Sequence, residues 1–437
     1  PGVSRVPYFS LNAKLCIQPH FELLMQEVKQ FTPTKLTLLT ILLCSMLMLM
    51  GGAAVAPALP LIEQVFPGQD TLVSMIITIP SLAVAVVGFA MGALADRLGK
   101  VRVLATSLVV FTAAGAVGYL MEGGSDTQLY ILLEFRFVVG IGIAGITSTV
   151  TALIAEYYGG VQRVKVLSYQ SAAMGIGVLI LEFTGGTLAE ISWRTPFLVY
   201  LIGIPILIMA ILSMREPRMS DEDRAEIAEI VSHEKFRKAN YRIVALCYVS
   251  IFFCMNLVFL LPTSIPIVLA DLGVSSSIVG LFLGFHGVAN AVFSILYRRI
   301  TVRIPPFRIL GMGFLLMGIG FAVLILYPSV PLAIFTLIIT GIGVGMIVPS
   351  LVNTLAGEVT GSNSGSIMGG YGTCLNFGQF AISLLSVPLL AMLSDSYYEV
   401  YCLMGVIAIL YGVVISLWSV GYYRRAKACL LYTSDAA

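Results

Sequence analysis

The chain has 437 residues, of which 58% are hydrophobic and only 11% charged, with a mean hydropathy of +0.96 and a formal net charge of +2. A water-soluble domain keeps roughly a quarter of its residues charged, so a soluble enzyme or a nucleic-acid-binding surface is excluded and most of this surface must face something apolar. Seven cysteines and three histidines lie scattered without metal-ligand spacing, so neither metal chemistry nor a cofactor is expected.

Residues 1–24 carry no clear pattern, Met25 reads as a natural start, and 429–437 read like a cloning remnant. The first apolar run is too long for a cleavable signal peptide and lacks a small-residue cleavage site. Apolar runs of spanning length fall at about 36–62, 71–95, 103–121, 127–155, 167–189 and 195–213. A second set falls at about 242–270, 276–296, 308–327, 331–355, 366–391 and 399–421. A bilayer core of about 30 Å takes about 20 residues of helix. A run this long in lipid has to satisfy its own backbone hydrogen bonds, so every run is predicted to be a helix. The domains that follow are a tail (1–35), a six-helix bundle (36–213), a cytoplasmic linker (214–241), a second six-helix bundle (242–421) and a tail (422–437).

With both termini and the linker in the cytoplasm, all of the 25 Lys and Arg except Arg136 and Arg194 fall on the cytoplasmic side. The outer loops carry Glu63, Asp70, Glu122, Asp126, Glu190, Asp271, Asp395 and Glu399, an asymmetry that fixes orientation.

Between the second and third spans stands Gly92-Ala-Leu94-Ala-Asp96-Arg97-Leu-Gly99-Lys100-Val-Arg102. An ordinary basic inner loop would supply the Lys and Arg but not Gly92, Asp96 and Gly99 at these steps. Ser125 with Gln128 fits a capping box opening the fourth helix. That helix carries Arg136 in mid-span, a charge costing about 2.5–3.5 kcal/mol on the insertion scale that something must solvate or pair. Two readings are open: a structural arginine satisfied by backbone carbonyls, or a charge facing a central cavity. Glu134, only two residues away, points to nearly the opposite side of the helix. Gly140, Gly142 and Gly145 satisfy the spacing of a dinucleotide fingerprint, but no strand precedes them, so close helix packing is the better explanation. The stretch is echoed 201 residues later, from Gly341 to Glu358, as a repeated transporter bundle would show. Without a phosphate-binding loop, energy is expected from an ion or substrate gradient.

In the fifth span Glu182 lies at a depth of about 10–14 Å, matched to that of Arg136. It is able to pair with Arg136, to take up a proton when unpaired, because desolvation disfavours its charged form, or to stay neutral and only pack. In the linker, Ser220 reads as an N-cap, with Ile227, Ile230 and Val231 on one face of a short interfacial helix. The second half is poorer in chemistry. Tyr297-Arg298-Arg299 keeps charge without the glycines, and Leu337 stands where the repeat would place the arginine. His286, Asn290, Asn256, Asn376 and Gln379 are either helix-packing polar groups or cavity ligands, and His286 is able to titrate near neutrality.

The 92–102 loop, the lone Arg136 before its glycines, and the fifth span resemble the major facilitator superfamily. Leu181-Glu182-Phe-Thr-Gly185-Gly186-Thr-Leu188 with Trp193-Arg194-Thr-Pro-Phe197 is similar to the antiporter motif of its drug:proton (multidrug efflux) branch, with Leu181-Glu182 replacing that motif's Gly-Pro. The resemblance implies an all-α membrane protein of twelve transmembrane helices in two six-helix bundles. It implies no enzyme but a monomeric alternating-access transporter in the plasma (inner) membrane, most simply effluxing small apolar or amphipathic compounds against protons. Uptake of a small organic anion bound by Arg136 is the alternative. Substrate and protons would pass Arg136, Glu182, Glu134, His286 and Asn376, with Glu182 loading a proton as Arg136 moves away. Gly92, Asp96, Arg97, Gly99, Lys100, Arg102 and Glu156 would form a gating latch, Asp96 lying against Ser364 to Ile367 and the basic residues pairing with Glu156.

Overall fold

The structure, a computed structural model, describes residues 33–216, 240–326, 329–358, 364–393 and 396–434. The interfacial helix expected after Ser220 lies outside these residues. Eleven described helices are long and apolar enough to cross a membrane, and a bent pair, Lys35–Leu47 with Met50–Val65, makes twelve. The other spans are Asp70–Leu98, Lys100–Leu120, Asp126–Tyr157, Lys165–Ala189, Thr195–Ser213, Tyr241–Asp271, Ser276–Ile300, Pro306–Ile325, Val330–Glu358, Ser366–Met392 and Tyr397–Tyr423. The last helix continues to Ser434.

The first span differs from its uniform apolar pattern. It bends by 55° at a break after Leu47 and tightens into a 3-10 turn over Ala56–Ala58 before resuming as Leu59–Val65. Gly51, Gly52 and Pro57 lie in or beside the break, residues that respectively lower helix propensity and remove a backbone donor. Thr34 opens this span with a capping box closed by Thr37. At the fourth span Ser125 does accept from the Gln128 amide, at 3.4 Å. The Gln128 side chain, however, accepts from the Gly123 amide, so the box is only half made.

The helices form two bundles of six. In the first, the fourth span packs on the second and third, and the fifth on the first. In the second, the ninth packs on the tenth and twelfth, and the seventh on the eleventh. The echoed glycines do the same work in each. A Cβ on Gly140 would lie 2.2 Å from the Pro80 carbonyl and one on Gly341 2.5 Å from that of His286, so both let a neighbouring backbone touch. Gly142 and Gly343 likewise abut Phe111 and Met317.

Because the helices alternate in direction, Lys and Arg gather at one end of the bundle (Arg97, Lys100, Arg242, Arg298, Arg308) and carboxylates at the other (Asp70, Glu122, Glu190, Asp271, Glu399). At this acidic end Trp193 packs edge-on against Phe66 and Phe197, with centroids 5.9 and 6.5 Å away, and Arg194 donates to the Met121 carbonyl at 3.2 Å. The Trp-Arg-x-x-Phe positions therefore staple loops of the first bundle together.

Candidate functional site

The two bundles meet along two helix pairs. On one side the fifth span lies on the eighth without room for side chains: a Cβ on Gly186 would stand 2.2 Å from the Ser276 carbonyl, and one on Gly280 2.1 Å from that of Glu182. Gly284 and Gly175 are equally close to Leu179 and Ala291. The neighbouring Gly185 faces the other way, its Cβ position 2.0 Å from the Ala54 carbonyl in the broken first span. On the other side the second span meets the eleventh through Thr78 and Ser383 hydroxyls 2.7 Å apart, and through Ser81, which donates to Gln379 Oε1 at 2.6 Å. At the acidic rim Glu190 Oε1 accepts from the Ser277 hydroxyl at 2.5 Å and its amide at 3.3 Å. These bonds, the hydroxyl foremost, hold the Glu190 carboxyl below its ordinary range, slight desolvation working against them and Ser275 with them.

Toward the basic end the seam between the second and eleventh spans parts. Nothing lies within 4 Å of a Cβ on Gly92 or Gly372, and Phe89 is 79% exposed, with its ring 4.0 Å from the Cβ position of Gly369. The bundles are thus closed at the acidic end and open at the basic end.

The 92–102 loop sits at that open end. Lys100 is ion-paired with Glu156 of the fourth span and lies 3.5 Å from Asp96. Asp96 itself is 73% exposed, and among the described residues no hydrogen bond or ion pair joins it to the eleventh span. Of the expected partners, Ser364 and Gly365 lie outside the residues whose side chains are described. Gly99, at φ +101°, ends the second span in a turn open to few other residues. Glu216, unforeseen because it stands where the polar linker begins, accepts from the Lys100 and Val101 amides at 2.5 and 2.9 Å and so caps the third span.

The five expected pathway residues do not form one cluster. Arg136 is 1% exposed. Its Nε donates to the Ile76 carbonyl at 2.7 Å and its Nη1 to the Tyr200 hydroxyl. One donor is thus satisfied by backbone and one by a side chain, and the guanidinium is closed off from solvent. Glu182 is 6% exposed, in the seam between the fifth and eighth spans, and no ion pair joins it to Arg136. Glu134 is exposed on the far face of its helix and reaches neither. His286 Nδ1 donates to the Leu337 carbonyl at 3.2 Å, and Asn376 Nδ2 bonds back to Gly372 of its own helix at 2.9 Å. Asn256 bonds its own helix at Phe252, and Gln379 ties the bundles together. Arg136 Nη2, Glu182 Oε2, His286 Nε2, Asn256 Oδ1 and Tyr371 Oη are all buried without a hydrogen-bond partner. Such orphaned atoms are uncommon in packed proteins and collect where a site has work still to do.

A family model for the Major Facilitator Superfamily matches residues 41–263 and 244–429. The tetracycline resistance protein, class C, of Escherichia coli is 24% identical over 389 residues, 86% of this chain and 95% of that protein. The quinolone resistance protein NorA of Staphylococcus aureus is 27% identical over 178 residues, 40% of this chain and 44% of its own. Among solved structures, the xylose transporter XylE from Escherichia coli in its inward-open conformation superimposes with a TM-score of 0.70 at 16% identity, covering 86% of this chain and 94% of that one. At that identity the likeness is one of fold.

Proposed function

The chain belongs to the Major Facilitator Superfamily and is a multi-pass membrane transporter, and on that premise we propose that it exports small apolar or amphipathic compounds in exchange for protons across the plasma membrane. In this reading the basic end faces the cytoplasm, by the positive-inside rule, and substrate enters through the parted seam from that side. The observation that carries proton coupling is Glu182, a carboxyl group sealed in the seam with Oε2 unpartnered. An ionised carboxylate buried without a partner is costly, so Glu182 takes up a proton when the seam opens to water at the acidic end, stays protonated as the seam closes, and releases the proton toward the open basic end when Arg136 approaches. The conformation with Glu182 and Arg136 unpaired is then the loaded one. Relatives named for tetracycline and quinolone resistance support the outward direction. Uptake of an organic anion needs a cationic ligand in the cavity, and Arg136 gives Nε and Nη1 to protein groups, with only Nη2 unpartnered.

The test is transport of a lipophilic dye in vesicles with an imposed pH gradient. Glu182→Gln is expected to retain dye binding while losing at least about tenfold of the gradient-driven rate, a loss of order 1.4 kcal/mol or more in the coupled step. Unchanged accumulation with the parent's pH dependence would remove Glu182 from the coupling.

A further inference from the structure

We propose that Arg136 is a positioning residue whose guanidinium supplies the hydrogen-bond donor that Pro80 removes from the second span and, through Tyr200, braces the break in the first span at Met50–Gly51. This does not depend on the substrate or direction proposed above.

The register of the contacts carries the inference. In an α-helix the amide of residue i bonds the carbonyl of residue i−4, and proline has no amide to give. Pro80 lies inside the second span, so the carbonyl it leaves without its helical donor is that of Ile76. That carbonyl is the one Arg136 Nε reaches, at 2.7 Å. The approach is possible because Gly140, one turn beyond Arg136, lets the Pro80 carbonyl come within 2.2 Å of where a Cβ would be.

The second break has the same logic. A continuous first span would send the amide of Val55 to the carbonyl of Gly51. That amide turns instead to Gly52, at 3.0 Å, where the single turn Met50–Ala53 ends. The Tyr200 hydroxyl faces the Gly51 carbonyl at 3.4 Å and the neighbouring Met50 carbonyl at 3.0 Å. Tyr200 gives its one proton there, and its oxygen accepts from Arg136 Nη1. The Arg136 Cζ also stands 5.4 Å from the Tyr200 ring centroid, and Phe111 packs on that ring at 5.2 Å. One buried cation thus holds the fourth span directly to the turn of the second that Pro80 leaves short of a donor, and through Tyr200 to the bend in the first. Those spans carry the first bundle's side of the seams: Thr78 and Ser81 flank Pro80, and Ala54 backs Gly185. Arg136 therefore sets the shape of the surface that closes, and binds no substrate.

The test restores the missing donor instead of the charge. In Pro80→Ala, residue 80 regains an amide for the Ile76 carbonyl. The full chain carrying Gly372→Cys at the open end is alkylated in vesicles and followed by mass spectrometry, which needs no substrate. Arg136→Met and Arg136→Lys are both expected to slow alkylation at least threefold, because the open conformation loses the tie between the Pro80 turn and the first-span bend and a lysine cannot serve two acceptors in the arginine's fork. Pro80→Ala combined with Arg136→Met is expected to return to within a factor of two of Pro80→Ala alone, with the thermal unfolding midpoint recovering in parallel. A parent rate in Arg136→Lys would mean that charge alone suffices, and a double variant as slow as Arg136→Met would mean that Pro80 is unconnected; either overturns the proposal. If Arg136→Met fails to accumulate, its recovery in the Pro80→Ala background supports the proposal and its continued absence overturns it.

Discussion

At Glu190 a single carboxylate links the two bundles, receiving both the hydroxyl and the amide of Ser277 at the start of the eighth span. Hydrogen bonds to the charged form hold its pKa below the ordinary carboxylate value. The sign follows: the contact is fully present above the unfolded-like value of about 4.3 and is lost as pH falls through the lowered one. Strong acid at the acidic face is therefore expected to loosen the rim, seen as faster labelling of Ser276→Cys from that side. In Glu190→Gln the same labelling should be faster at neutral pH and lose its acid dependence; a Gln variant that titrates like the parent would assign the effect elsewhere. Ion pairs at the opposite end work differently. Lys100 is shared between a part-buried Glu156 and an exposed Asp96, and an exposed pair is worth only about 0–1 kcal/mol. Asp96 is thus available to another partner when the bundles close there.

At the scale of helices, the seam between the fifth and eighth spans is made by absence of side chains. Gly280→Val would press a Cβ to within 2.1 Å of the Glu182 carbonyl, a backbone atom that cannot rotate away. Overpacking of this kind costs about 1–3 kcal/mol. The bundles are expected to stay parted at the acidic end, with transport lost, the acidic-side label reaching Ser276→Cys, and the basic end closed. Gly372→Cys labelled at the parent's rate in this variant would show that the two ends are not coupled. The spans and their order were legible from apolar runs and charge, because lipid leaves a long apolar segment no alternative to helix. Arg136, Lys100 and Glu156 were legible too, since buried or regularly spaced charge is rare in such a chain. The bend in the first span and the work of Pro80 were not. Apolar composition hides where a backbone bond is missing, and only the partner that repairs it, Tyr200 or Arg136, reveals the break. Gln379 was legible as a polar residue that packs or faces a cavity, but Ser81, Thr78 and Ser383 gave no signal, because a hydroxyl in a membrane helix usually bonds its own backbone, as Ser45 and Ser250 do here.

For the whole molecule, the seams imply a motion. Among the described residues, the glycine contacts between the bundles, Thr78 with Ser383, Ser81 with Gln379, and Glu190 with Ser277 lie from mid-membrane to the acidic end. The basic end has groups suited to closing that are paired only within the first bundle, Asp96 with Lys100 among them. If the bundles rock as bodies about the centre, opening one end requires closing the other, and the second and eleventh spans must separate where they now touch. Cysteines at 78 and 383, replacing hydroxyls 2.7 Å apart, would then test the motion in a chain whose native cysteines have been replaced. Oxidation is expected to join the two spans, stop transport, and leave Gly372 reachable from the basic side, because the joined conformation is the one already open there. Reduction should restore transport. Transport that continues through the oxidised pair would mean that these helices do not part, and that access alternates by local gating around the centre rather than by rocking of the bundles.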